Sequence, residues 1–439
     1  MEVVILCGGL GTRLRGVVSA LPKCLAPVGA SATRAPEGPD SCTAPANSAS
    51  RAPEGPDSCT GQPFLGWLLA WLERYPVSHV VFSVGYLKEQ VKAFVEGRTW
   101  PFSYDFAEEE SPLGTGGAIR YALQFCREEQ VFVVNGDTFY PVDLSAMPFE
   151  APVTLALKPM KDFDRYGTVE TAGQAGCDAS IMPGSPSVMP GVTGHLLPIT
   201  AFREKRPCRE GLINGGVYAI RRDQLDMSAL PEKFSFEKEV LEPAASAGTL
   251  AGWVSDAWFI DIGIPEDYAL AQWAVPAWFA VQAASKAVMA AEADTLFLDR
   301  DGVLNRHLPG DYVRRWEQFQ WMPGILEALS QWAGKYRHII LVTNQRGVGK
   351  GLMTDEDLSR IHARMMTEVL EAGGRIDLIL SCTALADDDP RRKPNPGMFR
   401  EACALFPDID PGRSVMLGDS PSDEAFARAC GMGFIRLAV

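Results

Sequence analysis

The chain has no C-x-x-C pair among its ten cysteines, no surplus of basic residues and no uninterrupted apolar run long enough to cross a bilayer. Each absence excludes a class. Without a C-x-x-C pair neither a zinc ribbon nor a disulfide framework is indicated, and scattered cysteines are expected to stay reduced in a cytoplasmic protein. The 41 Lys and Arg face 55 Asp and Glu, a formal charge of −14 that argues against nucleic-acid binding, which depends on clustered cations. Small anionic ligands stay compatible, because a few local amides and cations can bind them. The most apolar helical stretch, ALAQWAVPAWFAVQAASKAVMAAEA, is interrupted by Gln272, Pro276, Gln282 and Lys286, so no membrane association is expected. Met1 leads directly into an apolar strand with no basic n-region, and no signal peptide is expected.

What is present is ordinary globular material, 46% hydrophobic and 22% charged. At 439 residues it exceeds one core and predicts two domains. EVVILC, HVVFSVGY and QVFVVNGD read as buried strands and PFLGWLLAWLERY as a helix, an alternation that predicts a parallel sheet flanked by helices. A second series begins near Thr295, where TLFLD, HIILVTN, IDLILS and SVMLGD are strands and DEDLSRIHARMMTEVLEAG is a helix, a second doubly wound unit. The expected division is 1–268, a helical connector over 269–293, and 294–439. Two low-complexity runs interrupt the first domain. RAPEGPDSCT occurs at Arg34–Thr43 and again at Arg51–Thr60, within an insert between Gly29 and Gln62 that is too poor in apolar residues to order itself. Gly176–Pro198 has similar character and is expected to be a surface excursion.

After the first strand, GGLGTRL offers backbone amides unhindered by side chains, as a phosphate chain requires, although such a loop also serves ordinary turns. Lys23, ten residues beyond Arg13, supplies a cation for a triphosphate or for departing pyrophosphate. Asp137 and Asp261 each follow an apolar run, and acids at the carboxyl edge of a parallel sheet can hold Mg²⁺. Together, Gly8, Gly9, Gly11, Thr12, Arg13, Leu14, Pro22 and Lys23 resemble the signature of the sugar-phosphate nucleotidylyltransferases, G-G-x-G-T-R-L followed by P-K. The resemblance runs from Met1 to roughly Leu270, apart from the two low-complexity runs. It implies that the glycine loop with Thr12 holds the nucleotide, that Arg13 and Lys23 bind the triphosphate, and that Asp137 and Asp261 hold Mg²⁺. PLGTGGAIR resembles the family's nucleotide-recognition loop, which places Gly114 and Gly117 near base and ribose. FREK, LINGGVY and RYGTVE resemble its sugar-phosphate pocket, which carries over Glu204, Lys205, Asn214, Gly215 and Gly167.

In FLDRDGVLN, Asp299 and Asp301 sit two apart at a strand end, one able to attack phosphorus and the other to move a proton. The later strand ends carry Thr343 and Asn344, then Lys393, then Asp419 and Asp423: hydroxyl, lysine and metal-binding acids in turn. This series resembles the haloacid dehalogenase superfamily over Asp294–Val439. The likeness implies an aspartyl-phosphate on Asp299, acid/base work by Asp301, and phosphate held by Thr343 and Lys393 with Asn344 and Arg392 beside it. It also implies Mg²⁺ at Asp299, Asp301, Asp419 and Asp423. Only 41 residues separate Asp301 from Thr343 and 49 separate Thr343 from Lys393, which leaves little room for a cap. DRDGVLN, TNQRGVGKGLMT and RKPNPGMF look like the branch with heptose bisphosphate and histidinol phosphatases. Many of its members carry a Cys/His zinc loop before R-K-P; here SCTALADDDPRRKP holds a lone Cys382, so no zinc is expected.

The expected fold class is therefore α/β in two domains, a Rossmann-like nucleotidyltransferase fold followed by a haloacid dehalogenase-like Rossmannoid fold without a large cap. The combination resembles enzymes of GDP-D-glycero-α-D-manno-heptose synthesis, in which removal of the C7 phosphate precedes guanylyl transfer. The partners so implied are small molecules, a nucleoside triphosphate and sugar phosphates. A hexose 1-phosphate transferase joined to a histidinol-phosphate or other monoester phosphatase stays open, as does a regulatory first domain that only binds nucleotide sugar.

Overall fold

Five residues, EVVIL, four of them buried, form the strand Glu2–Leu6 at the centre of the first sheet. Continuous apolar runs of this kind need cover on both faces, which parallel strands receive from their crossover helices. The structure is a computed structural model and describes residues 1–9, 14, 18, 20–29, 61–172, 194–203 and 205–438. Contacts divide the chain into two units, Met1–Trp273 and Ala274–Val439, and the helix Pro265–Ala290 runs through the division.

In the first unit Glu2–Leu6 pairs in parallel with His79–Val84 and Gln130–Asn135, and Ser103–Glu108 extends the sheet beyond His79–Val84. The helix Phe64–Leu72 covers the sheet with buried Phe64, Leu65, Leu68, Leu69 and Trp71, worth roughly 1.5–3 kcal/mol for each large side chain removed from water. The nine-stranded sheet is mixed, whereas the alternation of strands and helices predicted a parallel one. Cys208–Arg221 enters antiparallel between Gln130–Asn135 and Val153–Phe163. That pairing joins strands far apart in the chain, and local pattern carries no direction for it.

The insert 30–60 lies outside the described residues, and so does most of the second low-complexity run. At its end Leu196–Pro198 open the strand Leu196–Arg203 and pair with Leu250–Val254. Sheet hydrogen bonding there overrides a Pro- and Gly-rich composition. Six described cysteines are free and Cys208 is disulfide-bonded, against the reduced state read from spacing. Spacing detects neighbours in sequence, not cysteines that folding brings together.

The second unit is a five-stranded sheet in the order Leu378–Cys382, His338–Asn344, Thr295–Leu298, Ser414–Gly418, Gly433–Arg436, with every pair parallel. The segment from Arg306 to Gly324 holds one short 3-10 turn, Trp316–Gln318. In the same unit Ser285, Val288 and Met289 of the long helix bond to Trp332, Lys335 and Tyr336.

Candidate active sites

In the first unit the chain visits the parallel strands in opposite directions on the two sides of Glu2–Leu6. Ligands of open α/β sheets bind outside the carboxyl ends of the strands at such a reversal. Pairing continues past the strand ends there, with Cys7 N–H donating to the Ser83 carbonyl at 2.8 Å and Gly136 N–H to the Leu6 carbonyl at 3.0 Å. A cavity of about 350 Å³ opens above, with Gly8, Gly9, Lys23, Gly114 and Asp137 in its wall. That size suits a small-molecule ligand.

Lys23 Nζ donates to Asp137 Oδ2 at 2.8 Å. Asp261 reaches the same place by backbone pairing: it lies opposite Thr138, and Ile262 N–H donates to the Asp137 carbonyl at 3.0 Å. Burial, and then the Asp137 charge, push the Asp261 carboxyl up to about 6. Two acids crowded together with one lysine leave a deficit of positive charge, and two carboxylates are hard oxygen donors that fit Mg²⁺.

Other expected residues have packing duties that sequence alone did not reveal. A Cβ on Gly117 would meet the Glu232 carbonyl at 2.4 Å, one on Gly215 the Tyr140 ring at 2.3 Å and one on Gly167 the Arg203 carbonyl at 2.6 Å. Asn214 donates to Tyr218 Oη at 3.0 Å and Lys205 is exposed. Gly11, Thr12, Arg13 and Glu204 lie outside the described residues.

In the second unit the reversal falls between Thr295–Leu298 and Ser414–Gly418, where Asp299 N–H donates to the Leu417 carbonyl at 3.1 Å. Asp299, Asp419 and Asp423 each place an oxygen within 4.8 Å of the others. Gly302, at φ +90°, makes room: a Cβ there would lie 2.1 Å from Asp419 Oδ2. Buried Lys393 Nζ stands 2.9 Å from Asp299 and 2.6 Å from Asp423. Burial pushes Asp299 up to about 7, with the Asp423 charge adding and Lys393 opposing; burial and Asp423 push Asp419 up to about 6. Burial alone would raise Asp423 too, but the Lys393 charge and the Ser420 hydroxyl hold it below the usual carboxylate range. Three acids against one ammonium again leave a charge deficit that a divalent cation with oxygen preference fits.

Asn344 and Lys393 are clamped together, Asn344 Nδ2 donating to the Lys393 carbonyl and Lys393 N–H to Asn344 Oδ1, each at 3.0 Å. Arg392 Nε donates to Asp387 at 3.2 Å. Asp301, expected at the metal, is held by donors of its own. Its carboxylate accepts from Arg300 Nη2 at 3.0 and 2.9 Å, Asn305 Nδ2 at 2.9 Å and Gln345 Nε2 at 2.8 Å. Burial would raise its pKa, yet these donors, led by the Arg300 charge, hold it low. Gln345 Nε2 also donates to Thr343 Oγ1 at 2.9 Å, so that one amide joins the Asp301 carboxylate to the Thr343 hydroxyl. Arg300 further contacts His362, whose imidazole burial pushes down to about 4, so that it stays neutral beside the guanidinium. Sequence reasoning missed Arg300, Asn305, Gln345 and His362. The first three stand inside or beside the quoted motifs, but nothing in a motif tells which of its polar residues is buried.

Residues 79–276 match the nucleotidyl transferase family and residues 234–431 the haloacid dehalogenase-like hydrolases. A D-glycero-alpha-D-manno-heptose 1-phosphate guanylyltransferase of Aneurinibacillus thermoaerophilus is 38% identical over 62% of this chain and 97% of its own. A D-glycero-alpha-D-manno-heptose-1,7-bisphosphate 7-phosphatase of Mycobacterium tuberculosis is 43% identical over 29% of this chain and 68% of its own. The chain belongs to both families, one in each unit. The transferase unit is also similar to the solved structure of HddC from Yersinia pseudotuberculosis, at 27% identity over 62% of this chain and 97% of that one, with a TM-score of 0.45. The hydrolase unit holds the acid cluster and Lys393; the transferase unit holds Lys23, Asp137 and Asp261.

Proposed function

We propose that the hydrolase unit removes the C7 phosphate of D-glycero-α-D-manno-heptose 1,7-bisphosphate, and that the transferase unit then joins the 1-phosphate to GMP from GTP, giving GDP-heptose and pyrophosphate. One observation carries this reading. The relative of the first unit is named for a heptose 1-phosphate, which is what the 7-phosphatase named for the second unit would leave.

In the hydrolase unit Asp299 Oδ attacks the C7 phosphorus while Lys393 and Thr343 hold the phosphoryl oxygens. The C7–O–P bond breaks, and the sugar oxygen takes a proton delivered by Asp301. Water then attacks the phosphoryl group on Asp299, its proton passing to Asp301, and inorganic phosphate leaves. Asp299, Asp419 and Asp423 would hold Mg²⁺, which shields the phosphate charge from these acids. In the transferase unit a 1-phosphate oxygen attacks the α-phosphorus of GTP, and the bond to the departing pyrophosphate breaks. No proton needs to move, so the work is alignment and charge neutralisation by Lys23 and the expected Arg13. Asp137 and Asp261 would hold the Mg²⁺ that shields the triphosphate there. Among the described residues no helix is long and apolar enough to cross a membrane.

The test supplies α-heptose 1,7-bisphosphate, Mg²⁺ and the four nucleoside triphosphates, and follows phosphate and nucleotide sugar by mass. GDP-heptose formation that Asp299→Asn abolishes and heptose 1-phosphate restores is the expected result. Phosphate release with no nucleotide sugar from any triphosphate would overturn the two-step reading.

A further inference from the structure

His362 belongs to none of the motifs, yet it is tied to the hydrolase site. It stands on the helix Asp355–Glu371 with buried Leu358, Ile361 and Met365, and the capping box at Thr354 closes the start of that helix. Its Nε2 lies 3.3 Å from Arg300 Nη1. A guanidinium only donates, so the ring accepts at Nε2 and carries its proton on Nδ1. The same guanidinium turns its other terminal nitrogen to Asp301, Nη2 donating to Oδ1 at 3.0 Å and to Oδ2 at 2.9 Å, and also to Gln345 Oε1 at 3.0 Å. Gln345 Nε2 in turn donates to Asp301 Oδ2 at 2.8 Å. A line of contacts thus runs from His362 through Arg300 to the carboxylate expected to handle the proton.

Stability alone does not account for this arrangement. Arg300 is fully buried, its one ion pair among the described residues is with Asp301, and its Nε has no hydrogen-bond partner among them. Burying a guanidinium costs more desolvation than a single pair reliably returns, and an apolar side chain of like volume would pack there at less cost. What the buried cation does supply is orientation. It holds Asp301 at both oxygens, and the same nitrogen fixes Gln345, whose amide reaches Thr343 Oγ1 at 2.9 Å. Proton transfer depends on such alignment. A long side chain can still pivot about its torsions, and His362 removes that freedom by accepting from the far nitrogen.

We propose that His362 is a positioning residue for proton transfer in the hydrolase unit: it holds Arg300, which aims the Asp301 carboxylate at the oxygen leaving phosphorus. This rests on the phosphatase reading and names the group outside the motifs on which the acid depends. Its mark is a dependence on the leaving group. The alcohol oxygen at C7 must gain a proton as its bond to phosphorus breaks, whereas p-nitrophenyl phosphate releases a phenolate that is stable without one. Misalignment of Asp301 therefore slows the first far more than the second. The comparison is made on kcat/KM, which covers the steps up to release of the alcohol or phenolate and leaves out the later attack of water on the phosphoryl group.

The test uses the full chain with Mg²⁺ and compares His362→Leu, which cannot accept a hydrogen bond, with His362→Gln, which can. His362→Leu is expected to lower kcat/KM for heptose 1,7-bisphosphate about tenfold or more but that for p-nitrophenyl phosphate only about twofold, and His362→Gln to recover most of the loss. The ratio of the two substrates is internal to one preparation, so partial unfolding cancels from it. Recovery by His362→Gln is read on the bisphosphate alone and needs no second substrate. An equal loss on both substrates marks a ring that only packs its helix, and overturns the proposal. Wild-type activity in His362→Leu overturns it too, as does a His362→Gln no better than His362→Leu. If the wild type releases phosphate from neither substrate, the phosphatase reading itself falls, an outcome distinguishable because it appears before any substitution is made.

Discussion

At the scale of a residue, Asp301 shows how motif and geometry combine. Four hydrogen bonds hold its carboxylate against Arg300, Asn305 and Gln345. These donors fix the position of the carboxylate. Gln345→Ala removes the contact to Thr343 as well as one to Asp301, and is expected to lower kcat for phosphate release about ten- to a hundredfold with a smaller change in KM, read by steady-state kinetics across pH. Asp299→Asn removes the attacking oxygen and is expected to lower phosphate release a thousandfold or more, about as much as loss of a nucleophile elsewhere. The acid cluster also predicts a pH dependence. In the metal-free protein Asp299 is raised to about 7 and Asp419 and Asp261 to about 6, so the folded chain binds more protons than the unfolded one above the ordinary carboxylate range. Stability is then lost as pH rises from about 4 to about 7, and Mg²⁺, which relieves the repulsion, should raise Tm more at pH 7.5 than at pH 5. Equal Mg²⁺ shifts at the two pH values in thermal melts would contradict it.

Single elements carry the site residues into place, and the helix Pro421–Cys430 shows how. Its first turn is closed by a capping box in which Ser420 Oγ accepts from Asp423 N–H at 3.3 Å, and Asp423 Oδ2 accepts from the Ser420 N–H at 3.1 Å and its hydroxyl at 2.6 Å. The same carboxylate meets Lys393 through its other oxygen. One side chain therefore ends a helix and closes a charged cluster. Ser420→Ala is expected to cost the hydrolase unit about 1 kcal/mol in denaturant unfolding, as caps do, and to weaken Mg²⁺ dependence of the phosphatase by freeing Asp423. Thr354→Ala opens the comparable box at the helix Asp355–Glu371 and should cost a similar amount with no effect on Mg²⁺. These boxes could be seen in the sequence as T-D-E-D and S-P-S-D, whereas the link from Asp423 to Lys393 could not.

At the scale of the whole molecule, the nine-stranded and the five-stranded sheet carry one candidate site each, both at a reversal of strand order. Each unit has its own nucleus of buried residues, as with Val4, Val133 and Leu155 in the first and Phe297, Ile340 and Met416 in the second. The two activities are accordingly expected to separate. Asp137→Asn should reduce nucleotide-sugar formation from heptose 1-phosphate at least about a hundredfold and leave phosphate release unchanged, while Asp299→Asn does the reverse. Loss of both activities in either variant would contradict this, and the two assays on one preparation decide it.

Strands such as Glu2–Leu6 and Thr295–Leu298, the glycine loop and the order of acids along the chain were determined by sequence alone, because apolar period and turn chemistry act between near neighbours. Tertiary structure alone decided that Cys208–Arg221 runs antiparallel, that Asp261 arrives beside Asp137, that Asp301 faces Arg300, and that His362 meets Arg300. Each of these joins residues distant in the chain, and which polar group is buried against which depends on packing that no local pattern encodes.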